Sequence, residues 1–150
     1  MSSGVLTEEA VLQKTKTSSR LEVARLNLWG SGIENIDVLA QFTSLRIVSL
    51  TDNKITTLKP FAGCPIMQEL YLRKNKVSDI TEIEHLKGLK ELRVLWIAEN
   101  PIADMPNYRI EVIKALPQLY KLDEDNVTAE ERMEALGTKK AGEVLDEIRS

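Results

Sequence analysis

Four stretches of this chain repeat one pattern at nearly one spacing. They read Val23-x-x-Leu26-x-Leu28-x-x-Ser31-x-Ile33, Leu45-x-x-Val48-x-Leu50-x-x-Asn53-x-Ile55, Met67-x-x-Leu70-x-Leu72-x-x-Asn75-x-Val77 and Leu92-x-x-Leu95-x-Ile97-x-x-Asn100-x-Ile102. Start-to-start spacings are 22, 22 and 25 residues. A unit this short cannot bury its own apolar face, so such units must stack and let their neighbours complete the core. With 20 Leu and 12 Ile among 150 residues and only seven aromatics, that core is built from repeated aliphatic layers.

The pattern resembles the leucine-rich repeat, since five positions match in four registers. The expected fold is an α/β solenoid: a horseshoe with a parallel sheet on its concave side and 3₁₀ turns or short helices on its convex side. In each short strand alternate residues point inward: Leu26 and Leu28, Val48 and Leu50, Leu70 and Leu72, Leu95 and Ile97. The polar residue three places on turns inward without a strand partner, and an Asn amide there can bond the backbone of the neighbouring turn. Asn53, Asn75 and Asn100 are therefore expected to form a buried ladder, with Ser31 heading it in the first repeat. The intervening Ile36, Leu39 and Phe42, then Leu58, Phe61 and Cys64, then Ile80, Ile83, Leu86 and Leu89 are spaced for the convex turns.

An open stack needs caps. At one end Thr7-Glu8-Glu9 reads as a helix start, with Val11, Leu12 and Leu21 offering an apolar face. At the other, Tyr108, Val112, Ile113 and Leu116 recur at helical spacing, and Leu119-x-x-Leu122-Asp123 reads as one closing strand. Thr128 and Glu131 have the capping-box spacing for a last helix holding Met133 and Leu136. This predicts an N-terminal cap over 6–22, four repeats over 23–102 and a C-terminal cap over 103–136. Residues 123–150 carry nine acidic and four basic groups, so 137–150 reads as an acidic tail. Val144, Leu145 and Ile148 in it have the spacing of an amphipathic helix cut short, as in a fragment of something longer.

Function in such a horseshoe is expected on the outward positions of the strands. These are Asn27 and Trp29, Ser49 and Thr51, Tyr71 and Arg73, Trp96 and Ala98, flanked by Arg25, Arg46, Ile47, Glu69, Lys74, Arg93, Val94 and Glu99. Both tryptophans fall here. Trp, Tyr and Arg contribute most to binding when a partner desolvates them, so Trp29, Arg46, Tyr71, Arg73, Arg93, Trp96 and Glu99 form the candidate protein-binding face. Trp29 could instead fold against the N-terminal helix, and Trp96 could lie under the C-terminal cap.

Other chemistry is excluded or disfavoured. A lone Cys64 and a lone His85 leave no disulfide framework and no Cys/His zinc site. No glycine-rich phosphate loop or nucleophile with a nearby His is present, so neither catalysis nor a cofactor is expected. Nucleic acid is disfavoured because Asp52, Glu69 and Glu99 sit among the arginines, and residues 1–122 carry only 16 basic against 14 acidic groups. The start of the chain has no basic-then-apolar signal pattern and no apolar run approaches the ~18 residues of a membrane span, so a cytoplasmic, membrane-free, monomeric domain is expected.

The run Asn100-Pro101, with Tyr108, Val112, Ile113, Leu116, Pro117, Leu119, Leu122 and Asp123, resembles the capped leucine-rich-repeat group, which includes the spliceosomal A′ protein and several ciliary proteins. The stretches 25–31, 69–75 and 86–101 are more similar to a basal-body branch of that group. Arg93-Val94-Leu95-Trp96-Ile97-Ala98-Glu99-Asn100-Pro101 is their most specific part. That resemblance, over about 6–136, implies a non-enzymatic scaffold at the base of the cilium or flagellum, part of the cytoskeleton, with a NIMA-related kinase as partner. In that branch a C-terminal helical segment supports oligomerisation and kinase contact, and this chain is expected to end before it. The alternative which the group offers is an A′-like ribonucleoprotein adaptor holding an RNA-binding domain.

Overall fold

The computed structural model describes residues 4–136. Five parallel strands form one sheet in chain order: β1 (Arg25–Asn27), β2 (Ile47–Ser49), β3 (Glu69–Tyr71), β4 (Val94–Trp96) and β5 (Lys121–Leu122). Their register aligns Leu26, Val48, Leu70, Leu95 and Leu122, all buried, as one inward row. Strands of two or three residues persist because the inward row packs against the convex layer, so side-chain burial rather than strand length holds each rung.

The convex layer is built from 3₁₀ stretches over Asp37–Gln41, Lys59–Gly63 and Ile80–Leu86. Leu39, Phe61, Ile83 and Leu86 point inward from them. Two of the three extra residues of the 25-residue interval lie here, because the third stretch runs seven residues where the other two run five. Successive turns approach so closely that a Cβ on Gly63 would lie 2.4 Å from the Ala40 carbonyl oxygen. Cys64 fills the same layer. Burial pushes its thiol up to about 12, and Sγ donates to the Leu39 carbonyl at 3.3 Å.

The asparagine ladder joins these layers. Asn75 donates from Nδ2 to the Leu50 and Leu72 carbonyls, both at 3.0 Å, while its Oδ1 accepts from the Ile55 amide at 3.0 Å. Asn53 and Asn100 repeat the arrangement one turn away on either side. Ser31 does not head the ladder. Its side chain is exposed and donates only to the Trp29 carbonyl, whereas its backbone amide donates to Asn53 Oδ1 at 3.0 Å. Each ladder Asn reaches back to the turn of the preceding repeat, and Ser31 has no repeat before it, so the ladder begins at Asn53. The residue before each rung is left-handed: Asp52 at φ 61, Lys74 at φ 60 and Glu99 at φ 60. Only in the first repeat, where the turn carries no asparagine of its own, is that residue a glycine, Gly30 at φ 61.

At the N-terminal end α1 (Glu8–Thr15) starts where Thr7 Oγ1 accepts from the Ala10 amide, and it buries Val11. Leu21 does not join that face. The Ser19 side chain caps a 3₁₀ turn over Arg20–Glu22 and leaves Leu21 69% exposed. Leu6 covers the first repeat instead, tied by its amide to the Asn35 carbonyl.

The C-terminal cap contains α2 (Tyr108–Ala115), β5, a short antiparallel β6 (Asp125–Asn126) and α3 (Ala129–Ala135). β6 was not legible as a strand. Asp123, left-handed at φ 57, opens the two-residue turn that folds it back on β5. The capping box forms as its spacing implies, with Thr128 Oγ1 accepting from the Glu131 amide and Glu131 Oε1 from the Thr128 amide. Leu136, expected on the apolar face of α3, is 62% exposed, and Ala135 is buried in its place. The acidity also lies elsewhere than expected. Asp123, Glu124, Asp125, Glu130, Glu131 and Glu134 belong to the cap, while 137–150 holds three acidic and three basic residues and falls outside the described part. Among the described residues no helix is long and apolar enough to cross a membrane.

Candidate protein-binding surface

Register alone arranges the concave face into rows. Arg25, Ile47, Glu69, Val94 and Lys121 form one, and Asn27, Ser49, Tyr71 and Trp96 the next. Beyond the strand ends lie Trp29, Thr51, Arg73 and Ala98, linked through the amides and carbonyls of adjoining turns.

Tyr71 and Trp96 occupy adjacent positions because β3 and β4 pair them directly. Their ring centroids are 6.3 Å apart at an interplanar angle of 44°, within the range of favourable tilted aromatic pairs. Lys121 Nζ lies 5.9 Å from the Trp96 ring centroid, a cation over the face that carries negative quadrupole density. Arg73 Nε meets Glu99 Oε2 at 2.7 Å, at the edge of this pair. Both partners of that bridge are more than 40% exposed, so it orients the guanidinium and contributes little to folding. The Tyr71 hydroxyl donates to Glu69 on its own strand. Desolvation first, and Glu69 second, raise the phenol to about 12, so it remains a hydrogen-bond donor across the physiological range.

The expected site residues therefore divide. Tyr71, Arg73 and Trp96 are half-buried on the third and fourth repeats, in the middle of the horseshoe, with the exposed Glu99 bridged to Arg73. Arg46 and Arg93 are exposed one residue before β2 and β4, at the rim where the chain turns into the sheet. Trp29 stands 65% exposed on the turn after β1, and Ser49 and Thr51 on the second repeat separate it from Tyr71. The aromatic track is thus an aromatic pair plus one outlying ring. Trp29 stands out in water rather than under the N-terminal helix, and Lys121 of the C-terminal cap lies over the Trp96 ring.

Two groups escaped the sequence reading. Lys121 was legible in principle: once Leu122 is aligned with Leu95, its neighbour must align with Val94. Lys14 and Thr15 were not legible, because they reach the concave side only through the way α1 lies on β1. They help to line an open cleft of about 510 Å³ with Arg25, Ile47, Ser49 and Tyr71. Among the described residues Lys14, Arg25, Arg46, Arg93 and Lys121 make no ion pair.

The cap residues position this face. Asp123 Oδ1 accepts from the Ile97 and Ala98 amides at 2.7 and 2.9 Å, which fixes the end of β4 directly after Trp96. The Tyr108 hydroxyl donates to Asp123 Oδ2 at 2.7 Å, and burial followed by the Asp123 charge raises this phenol far above its usual range. Leu116, Leu119 and Leu122 are fully buried beneath. Arg109, given no role in the sequence reading, bridges Glu131 and the Leu122, Asp125 and Asn126 carbonyls, so it ties α2, β5, β6 and α3 together.

The arrangement is that of a capped repeat horseshoe with an aromatic and cationic concave face. A leucine-rich-repeat family model matches residues 22–149, and the chain belongs to that family. Within it, the chain is 43% identical over 133 residues to cilia- and flagella-associated protein 410 of Homo sapiens, with 87% of this chain and 52% of that protein covered. It is 31% identical to the U2 small nuclear ribonucleoprotein A′ of Arabidopsis thaliana, over 78% of this chain and 47% of the relative. The chain thus spans about half the length of these curated relatives. Among solved structures, the Drosophila melanogaster SNF/U2A′ complex contains a chain matched at TM-score 0.64 and 24% identity, covering 82% of this chain and 87% of that one. That likeness concerns the fold.

Proposed function

We propose that the chain is a protein-interaction scaffold without catalytic activity, and that its concave Tyr71–Trp96 patch is the docking site. The observation that carries this reading is the pair itself: two large rings, half-exposed, stacked in the centre of the sheet and not needed by the core. Such rings cost little conformational entropy to immobilise and gain most when a partner excludes water from them. Arg73, held by Glu99, offers an oriented guanidinium beside them, and the unpaired cations around them favour a partner with acidic residues at its contact edge.

The similarity to cilia- and flagella-associated protein 410 supports a place at the cilium or flagellum, and we propose the basal body, with a role in assembling the organelle. A NIMA-related kinase is a further partner, contacted through the C-terminal helical segment that the resemblance implies rather than through this patch. Replacing Trp96 by Ala should weaken docking by roughly 30- to 1000-fold, the range expected of a central aromatic anchor worth about 2–4 kcal/mol. Pull-down of basal-body proteins by the Trp96→Ala and Arg73→Ala variants measures this. The melting temperature should stay within a few degrees; loss of folding instead would assign both residues to structure. Fluorescent tagging in a ciliated cell tests the location. A spot at the flagellar base is expected, and a nuclear signal would favour the ribonucleoprotein-adaptor reading suggested by the A′ relative.

A further inference from the structure

On the far side of the C-terminal cap, α2 and α3 leave an open cleft of about 350 Å³. Ile113, Pro117, Met133 and Ala135 make it apolar, and Lys114 and Arg132 stand at its edge. Leu136 is on its lip with 62% of its surface in water. Exposed apolar surface gathered into a concavity and rimmed by charge marks a place where something binds. Neither Lys114 nor Arg132 has a carboxylate partner among the described residues; the Arg132 guanidinium donates to the Pro117 and Leu119 carbonyls.

We propose that this cleft is the seat of the chain's own residues 143–149. Four observations select that occupant. The described chain ends at Leu136, on the lip itself, so the following residues start at the site. Residues 137–142 include two glycines and can span at most ~20 Å, against about 12 Å for the eight-residue α2 that walls the cleft, so doubling back is sterically open. Val144, Leu145 and Ile148 share one face at helical spacing, with Glu147 nearest its edge and Glu143 and Asp146 opposite it, which matches a cleft with an apolar floor and leaves the two opposite carboxylates towards water. The leucine-rich-repeat family match also continues to residue 149, through this stretch and past the last described element.

The experiment uses the whole 150-residue chain. With Met133→Cys and Leu145→Cys combined, mild oxidation should give a monomer with an internal disulfide; the buried Cys64 stays out of the exchange. Separately, Leu145→Asp with Ile148→Asp leaves every cleft residue unchanged. These two changes should make amide hydrogen exchange at 132–136 about tenfold faster, as expected when a covering segment is released. The melting point should fall by about 2–4 °C. A disulfide-linked dimer whose yield rises with concentration would make a second copy the occupant and overturn the proposal. Unchanged exchange at 132–136 in the Asp variants would overturn it equally, whether or not the cysteine variant folds.

Discussion

The ladder makes unequal predictions for residues that look equivalent in sequence. Asn75→Leu keeps the branched four-atom skeleton with bulkier methyl ends, so no cavity forms and the cost comes from lost hydrogen bonds, with any overpacking adding to it. The Leu50 carbonyl keeps its bond from Asn53, and the Leu72 carbonyl keeps its bond from Asn100. Only the Ile55 amide, which Asn75 Oδ1 alone satisfies, is orphaned. One buried unsatisfied group costs about 1–3 kcal/mol. Asn100 stands at the last rung. Its loss orphans the Val77 amide and also the Ile97 carbonyl, for which no further amide side chain follows to substitute. Two groups imply about 2–6 kcal/mol, twice the cost of the central rung. Ser31→Ala removes no rung and should stay within about 0.5 kcal/mol of the parent, as surface changes do. Urea unfolding of the three variants, read from the midpoint at constant slope, gives the order Ser31→Ala, then Asn75→Leu, then Asn100→Leu. If Asn75→Leu is as damaging as Asn100→Leu, the sharing of carbonyls between adjacent rungs is not what stabilises the stack.

Three further outcomes follow from single sites. Gly63→Ala should destabilise by about 1–3 kcal/mol because its Cβ meets the Ala40 carbonyl at 2.4 Å, whereas Gly88→Ala, with open space around it, should be close to neutral; thermal unfolding of the pair tests this. Glu131 has a pKa held below its ordinary value first by the Arg109 guanidinium and then by the Thr128 amide, so its stabilising contribution is present above pH 4.5 and disappears as pH falls through the lower folded value. The melting-point gap between the parent and Glu131→Gln should therefore narrow below pH 4.5. Cys64, buried and pushed up to about 12, should resist a thiol reagent at pH 8 in the native protein and react at once in denaturant.

How much was legible depends on whether a residue's position follows from the repeat. Leu26, Val48, Leu70 and Leu95 were placed on the inward row by spacing alone, and Asn53, Asn75 and Asn100 on the ladder, because each repeat offers its neighbour the same environment. Tyr71 and Trp96 could be assigned to the concave face in the same way. That they touch, while Trp29 stands apart, could not be assigned, since it depends on ring rotamers and on what lies between. Errors gathered at the ends of the array. Ser31, Leu21 and Leu136 were read as if the periodic environment continued past the last repeat, whereas at an edge one neighbour is missing and the side chain turns to water or to a local cap.

The sequence by itself determined the architecture, because units of 22 and 25 residues that cannot bury their own aliphatic rows have one economical arrangement, a stack with a parallel sheet inside. It also determined the capping box at Thr128 and Glu131, a contact between residues three apart that no tertiary partner needs to complete. Only the tertiary structure decided what belongs to the binding face and what to the frame. Lys121 over Trp96, Asp123 on the Ile97 and Ala98 amides, and Arg109 across four cap elements join residues 13 to 26 positions apart, within the C-terminal cap or across its junction with the last repeat. Such contacts are set by how the caps dock on a finished stack, and that docking is a property of three-dimensional fit which no periodicity encodes.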